Sequence, residues 1–249
     1  MKKGLLIMFL SMTLVGCGKQ EETANTKVSD TSSSTQISSQ SSTKNSSTID
    51  KIVNSSSILE EKVEQHSGVT TLSKENYYQN NIIQEINQQF LNWASDRAKI
   101  GGMAVTSEFF DHGAAGRGDW FAVTPDRLAM VQDLNNPGYD YFPLHVVGGV
   151  TFYYSSKGTL GATNERQQSS FAAGFSEVAD ITKPIIKYIL CDNGMIYELN
   201  SDSSLSTGFN EMNDDGTIPR SQINVKEFHY SEDTDAINEL QRILSIVNK

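Results

Sequence analysis

An α+β fold, with an antiparallel β-sheet of about six to eight strands packed against an N-terminal and a C-terminal helix, is what the sequence predicts from three observations. Apolar residues recur at helical spacing in a segment near 74–100 and again near 231–249. Between them the period shortens to two, the alternation of a strand whose side chains point to opposite faces. The strand-like segments are joined by short Gly-, Pro- and Asn-containing connections, which suit antiparallel neighbours, whereas parallel strands need long crossovers.

In chain order, the first segment is "MKKGLLIMFLSMTLVGC": Lys2 and Lys3, an apolar run from Leu5 to Val15, then Gly16 before Cys17. This is the three-part pattern of a secretory signal, and it is short for a membrane span. Residues 1–16 are expected to be the signal peptide. From Ser29 to Ser57, 17 of 29 residues are Ser or Thr, with no aromatic side chain. Such a segment has too little apolar surface to offset its ordering entropy, so residues 17–67 are expected to be a disordered tether. A flexible chain of roughly fifty residues has an r.m.s. reach of about 40 Å. Within its tail, Ser57 to Glu60 has capping-box spacing.

Residues 68–249 are expected to form a single domain, long enough to bury a sizeable core. Tyr78, Ile82, Ile86, Phe90 and Trp93 lie on one helix face, with Ser73 as the cap, Glu75 in the first turn and Gly101 as the stop. Strands are predicted at 119–124, 128–134, 143–148, 149–155, 159–163, 185–191, 195–200 and 223–230. Asn193-Gly194 suits a tight hairpin turn needing positive φ at both residues. Gly148 and Gly149 mark either a turn or a bulge within one long strand. The last helix has Ser231 as its cap and Glu232, Asp233 and Asp235 near the positive end of its dipole. Ile237, Leu240, Ile243 or Leu244, and Val247 form its apolar side.

"LVGC", Leu14 to Cys17, resembles the lipobox of bacterial lipoproteins. Together with the Ser/Thr tether and a C-terminal domain carrying "GRGDW", "NNPGYD" and "FAAGFSE", the chain looks like the uncharacterised lipoproteins of low-GC Gram-positive bacteria that end in a domain of unknown function. The resemblance implies diacylglycerol transfer to the Cys17 sulfur, cleavage before it, and residence on the outer face of the cytoplasmic membrane. It implies no activity and no site residue beyond Cys17. A plain signal peptide that happens to carry Cys17 is the alternative.

Loss of residues 1–16 leaves 18 basic against 30 acidic side chains, a net charge of −12. That surface repels nucleic acid and anionic headgroups, so neither is an expected partner of the domain. With Cys17 taken by lipid, Cys191 is the one thiol left, and the domain must fold without a disulfide. Cys191 lies in an apolar strand pattern and reads as a small buried hydrophobe.

The densest cluster of polar chemistry is "FFDHGAAGRGDW", residues 109–120. Its glycines do not make a phosphate loop, because Asp119 and Trp120 stand where a P-loop has its lysine and hydroxyl. Arg117-Gly118-Asp119 spells an adhesive tripeptide. Glu108, Asp111, His112 and Asp119 offer acid and base groups of the kind hydrolases use. The bland reading is a glycine-rich turn entering a strand, with Gly116 and Gly118 there for positive φ or close approach. His112, Arg117, Asp119 and Trp120 are the candidate binding surface. No cofactor motif and no metal-ligand spacing is present: His66, His112, His145 and His229 are scattered, and His145 and His229 read as packed or surface histidines. Glu211, Asn213, Asp215 and Gly216 faintly follow a calcium loop, but Gln222 stands where a bidentate Glu belongs, so an acidic turn is expected.

The leading functional expectation is a non-catalytic module that binds a wall component, a peptide or another envelope protein. It draws on Tyr139, Tyr141, Phe142, Tyr153 and Tyr154, aromatic residues of the kind that suit binding faces as well as cores. The alternative is a hydrolase acting on envelope polymers through the acids near His112. Adhesion through Arg117 to Asp119 comes third.

Overall fold

The computed structural model of the chain describes residues 68–110, 116–168, 174–201, 208–220 and 227–249. Cys17, the Ser/Thr segment, His66, Asp111, His112, Gln222 and the first part of the strand expected at 223–230 lie outside them.

The first helical segment is two helices. Ser73 caps α1 (Lys74–Tyr77), its Oγ accepting from Asn76 N–H at 3.3 Å. Gln79 is extended, and α2 (Asn80–Ile100) begins after it. Ile82, Ile86, Phe90, Ala94 and Ala98 are the buried stripe of α2, and Trp93 packs at its margin. Tyr78 leaves that stripe because the break at Gln79 turns α1 away, and its side chain is 54% exposed. At the other end of the chain α3 (Thr234–Val247) buries Ala236, Leu240, Ile243 and Leu244. Its cap is Asp233, which accepts from Ala236 N–H at 3.0 Å, and not Ser231. The Ser231 hydroxyl instead accepts from Asp233 N–H and donates to Glu198.

Among the described residues nine strands form one sheet: β1 (Ala104–Thr106), β2 (Trp120–Val123), β3 (Leu128–Gln132), β4 (Leu144–Tyr153), β5 (Gly161–Ala162), β6 (Ile185–Cys191), β7 (Ile196–Ser201), β8 (Phe209–Glu211) and β9 (His229–Tyr230). The order is β8-β2-β3-β4-β6-β7-β9, with β1 on the far part of β4 and β5 beside β1. The sheet is mixed, which corrects the all-antiparallel expectation. β3 and β4 run parallel, as do β1 and β5. The connection 133–143 is long enough to carry the chain back to the start of β3's neighbour, as a parallel pair requires.

The two segments expected at 143–148 and 149–155 are one strand, β4, with a bulge where its register against β6 shifts between Val146 and Gly148. Close approach explains both glycines. A Cβ on Gly148 would lie 2.7 Å from Asn87 Cγ, whose amide donates to Val147 O at 2.9 Å; one on Gly149 would lie 2.7 Å from the Phe109 ring. Side chains from both sides therefore rest on backbone at this point.

The sheet curls until its ends meet. Phe228 N–H donates to Val123 O at 2.9 Å, and Asp126, in the β2–β3 turn, accepts from the hydroxyls of Tyr197 and Tyr230. Trp120, Val146, Ile189, Tyr197, Phe209 and Phe228 fill the concave side. On the convex side α2 and α3 cover Val147, Val150, Phe152, Leu190 and Ile196. A smaller cluster under the loops joins Phe121, Val123, Leu128, Met130, Phe142 and Met212, and Tyr77 and Tyr139 pack on it.

Candidate binding face

The residues at the centre of "GRGDW" do not lie together on the surface. Asp119 is fully buried, and its carboxylate gathers the loop that follows β3. Oδ1 accepts from Leu134 N–H at 2.7 Å and Asn136 N–H at 3.0 Å, and Oδ2 accepts from Gly138 N–H at 2.6 Å. Its own backbone is held as well, donating to Asn136 O and accepting from Met212 N–H, both at 2.8 Å. Within the loop Asn135 and Gly138 have positive φ, which these residue types tolerate best. Gly118 is needed for room and not for positive φ, since a Cβ there would fall on Met212 O. At Gly116 the obstacle is the tip of the Glu211 side chain.

Arg117 is exposed; its backbone N–H and guanidinium both reach Asp214, at 3.2 and 3.3 Å. Trp120 is buried, with its ring 5.6 Å from that of Phe110. The expected binding surface is thus corrected: of the residues proposed for it, Arg117 is exposed, Asp119 and Trp120 are core, and His112 is outside the described residues. A carboxylate enclosed by three N–H groups is not presented to a receptor, so the adhesive tripeptide lacks its acid.

What Asp119 positions is Tyr139, the first residue of a 3-10 turn (Tyr139–Tyr141) that follows Gly138. The Tyr139 ring lies flat on His145, with centroids 3.5 Å apart and planes within 4°. His145 is buried on β4, and both its ring nitrogens are engaged: Nδ1 with Asp192 Oδ2 at 2.6 Å and Nε2 with Tyr139 O at 3.0 Å. The other Asp192 oxygen accepts from His145 N–H at 3.0 Å. The imidazole therefore fastens the 3-10 turn to the β6–β7 hairpin. On the opposite face of Tyr139 sits the Lys74 ammonium, 4.8 Å from the ring centre and paired with Asp140.

Tyr77 closes the group edge-on, 5.1 Å from Tyr139 and 5.5 Å from His145. Tyr78 stands outermost, 5.4 Å from Tyr77 and 5.5 Å from Tyr139, with its hydroxyl 3.4 Å from Asp133 Oδ2. Leu134, whose N–H donates to Asp119, and Tyr141, at the end of the 3-10 turn, are also exposed. Partial burial, then the charge of Asp192, pushes the Tyr139 phenol up to about 12; burial, then Asp133, pushes Tyr77 up further. Both are neutral hydroxyls over the whole range in which the protein would work.

Of the aromatic residues singled out in the sequence, Tyr139 belongs to this group, while Tyr141 is exposed with its ring edge-on to Phe142. Phe142 and Tyr153 are buried, and the Tyr153 hydroxyl donates to Glu165 at 2.9 Å. Tyr78, Lys74 and the role of His145 were missed. The Tyr77-Tyr78 doublet one helical turn after a capping Ser73 was the available signal.

Cys191 is fully buried, and burial pushes its thiol well above the usual range, which removes the thiolate a nucleophile needs. Glu108 accepts from Gln167 at 3.0 Å. In the acidic turn Asp215 accepts from Thr217 and Asp214 pairs with Arg117. His229 is exposed on β9. Among the described residues no group of three His, Cys, Asp or Glu side chains is placed to hold a metal ion. Nor is any helix among them long and apolar enough to cross a membrane.

No protein-family model, no curated protein and no solved structure matches the chain.

Proposed function

We propose that the chain is a lipoprotein anchored through a diacylglyceryl group on Cys17 to the outer face of the cytoplasmic membrane, and that its curled-sheet domain is a non-catalytic module binding a wall or protein partner. The observation that carries this reading is an exposed tyrosine, Tyr78, on a base that cannot shift. Tyr139 beneath it is clasped between His145 and Lys74, and the loop before Tyr139 is wound round the Asp119 carboxylate. A surface ordered before its partner arrives loses little conformational freedom on binding.

The anchor supports the same reading. Two acyl chains hold a protein durably where one does not, so lipidated Cys17 would keep the domain at the membrane. The chain enters the domain beside the tyrosine face: Leu72 N–H donates to Asp192 O at 2.7 Å, one residue before Ser73 caps α1. The hydrolase alternative lacks a comparable observation, because Asp119 is saturated by backbone donors and Asp111 and His112 lie outside the described residues.

Two measurements test the proposal. Acyl labelling and membrane retention are expected in the full chain and not in Cys17→Ala; retention unchanged in that variant would refute the anchor. Cosedimentation of the full chain with purified cell walls or envelopes is expected to fall at least about tenfold in Tyr78→Ala, a loss of roughly 1.4 kcal/mol. Unchanged cosedimentation would remove the tyrosine face as the site, and release of soluble fragments from the walls would favour the hydrolase.

A further inference from the structure

We propose that the tyrosine face takes a neutral glycan, with Tyr78 as the ring on which one sugar stacks and the Asp133 and Asp140 carboxylates as acceptors for its hydroxyls. This deepens the binding-module reading and rests on it.

The chemistry of the face weighs against the other simple ligand classes in turn. A cage for an alkylated ammonium group needs aromatic walls far enough apart to admit it. Here Tyr77, Tyr78 and Tyr139 lie 5.1 to 5.5 Å from one another and fill that space themselves. The open side of Tyr139 already holds the Lys74 ammonium, and His145 covers its other side. An anionic group would meet Glu75, Asp133 and Asp140, while the cation among them, Lys74, is paired with Asp140. A long apolar segment would find the Tyr78 ring bordered by its own hydroxyl and the Asp133 carboxylate.

A neutral sugar fits each constraint. One face of a pyranose is a patch of C–H groups carrying slight positive charge, which suits the negative face of an aromatic ring. Its rim is a set of hydroxyl donors, for which carboxylates are strong acceptors. Tyr78 is the ring on the face that is most exposed, at 54%, and its hydroxyl contact with Asp133 at 3.4 Å is long enough to yield to a better donor. A single stacked ring binds weakly, so repeated units of a polymer near a tethered domain would supply the retention.

The test is calorimetric titration of the full-length chain with three neutral tetrasaccharides, chitotetraose, cellotetraose and maltotetraose, beside poly(glycerol phosphate) and tetralysine. At least one tetrasaccharide is expected to bind saturably. Tyr78→Ala should weaken it about tenfold or more, Tyr78→Phe should keep it within about threefold, and Asp133→Asn should weaken it measurably. Tyr78 is more than half exposed, so these variants should keep the wild-type melting temperature to within a few degrees. Binding of poly(glycerol phosphate) or tetralysine in place of the sugars overturns the glycan assignment. So does the failure of all three sugars while cosedimentation with envelopes still depends on Tyr78, and in that case the binding-module reading stands. Cosedimentation independent of Tyr78 overturns both.

Discussion

The helix-covered side of the sheet and the loop side built round Asp119 are stabilised in different ways. Under α2 and α3 the contacts are aliphatic and aromatic: Ile86, Phe90, Leu190, Leu240 and Ile243 are all fully buried in one cluster. Each contributes in proportion to the apolar area it removes from water, and a side chain of similar volume can replace another. On the loop side a single carboxylate satisfies three backbone N–H groups, and no apolar side chain can substitute for it. The first region should respond to mutation in graded fashion, the second steeply to any change at one carboxylate. The tyrosine face depends on the second.

The largest expected effect is therefore at Asp119. Asp119→Ala takes the charged acceptor from three backbone donors, one buried and two part-buried; bonds to a charged group are worth about 1.5–3 kcal/mol each, so a loss of about 4 kcal/mol or more is expected in urea unfolding. Asp119→Asn should recover only part of it, because one acceptor oxygen becomes a donor facing an N–H group. On the helix side Leu240→Ala should cost about 2–5 kcal/mol but Leu240→Met less than about 1.5 kcal/mol. If Asp119→Asn proved as mild as Leu240→Met, the contrast would collapse.

Next come the two glycines before Asp119. At Gly118 a Cβ meets the Met212 carbonyl, part of the backbone that accompanies Asp119, so Gly118→Ala should cost about 2 kcal/mol or more. At Gly116 the obstacle is the end of a Glu211 side chain that can swing aside, so Gly116→Ala should cost less than about 1 kcal/mol. Equal costs would show that backbone contact is not what distinguishes them.

A pH titration sharpens the comparison further. Burial and the charge of Asp192 raise Tyr139 to about 12, while the hydrogen bond to Asp126, then burial, raise Tyr230 to about 12. The unfolded phenol ionises near 10, so the unfolded chain releases its protons first. The stabilisation is complete below about pH 10 and is lost as pH rises towards 12. Tyr139→Phe should remove part of that fall in stability, as followed by urea midpoints between pH 9 and 12; an unchanged profile would mean that Tyr139 ionises as freely in the folded chain as in the unfolded one. The smallest effect is expected at Arg117, whose pairing with Asp214 is exposed: Arg117→Ala should cost less than about 1 kcal/mol.

Much of the fold was legible because it is periodic. Ile82, Ile86 and Phe90 recur at helical spacing and are buried on one side of α2; Leu240, Ile243 and Leu244 do the same in α3. Asn193-Gly194 lies in the turn of the β6–β7 hairpin as expected, but only Gly194, at φ +76°, has the positive φ expected of both residues. The tyrosine face was legible only in fragments. Tyr139 stood out as an aromatic residue near Pro137 and Gly138, yet Tyr78 looked like one more member of a helical stripe. One extended residue, Gln79, was enough to move it from core to surface.

The sequence by itself determined the elements whose causes lie within a few residues: the two apolar helical stripes, the glycine of the hairpin turn, and the acidic balance of the chain. Only the tertiary structure decided that β3 and β4 run parallel, that the sheet curls until Phe228 meets Val123, and that Asp119 holds residues 134–138 and not a ligand. It alone brought Lys74, Tyr77, Tyr78, Tyr139, His145 and Asp192 into one group. The physical reason is range. Helix spacing and turn chemistry act through neighbours along the chain, whereas a buried carboxylate takes its donors, and a stacked ring its partner, from whatever backbone the packing of distant apolar residues delivers.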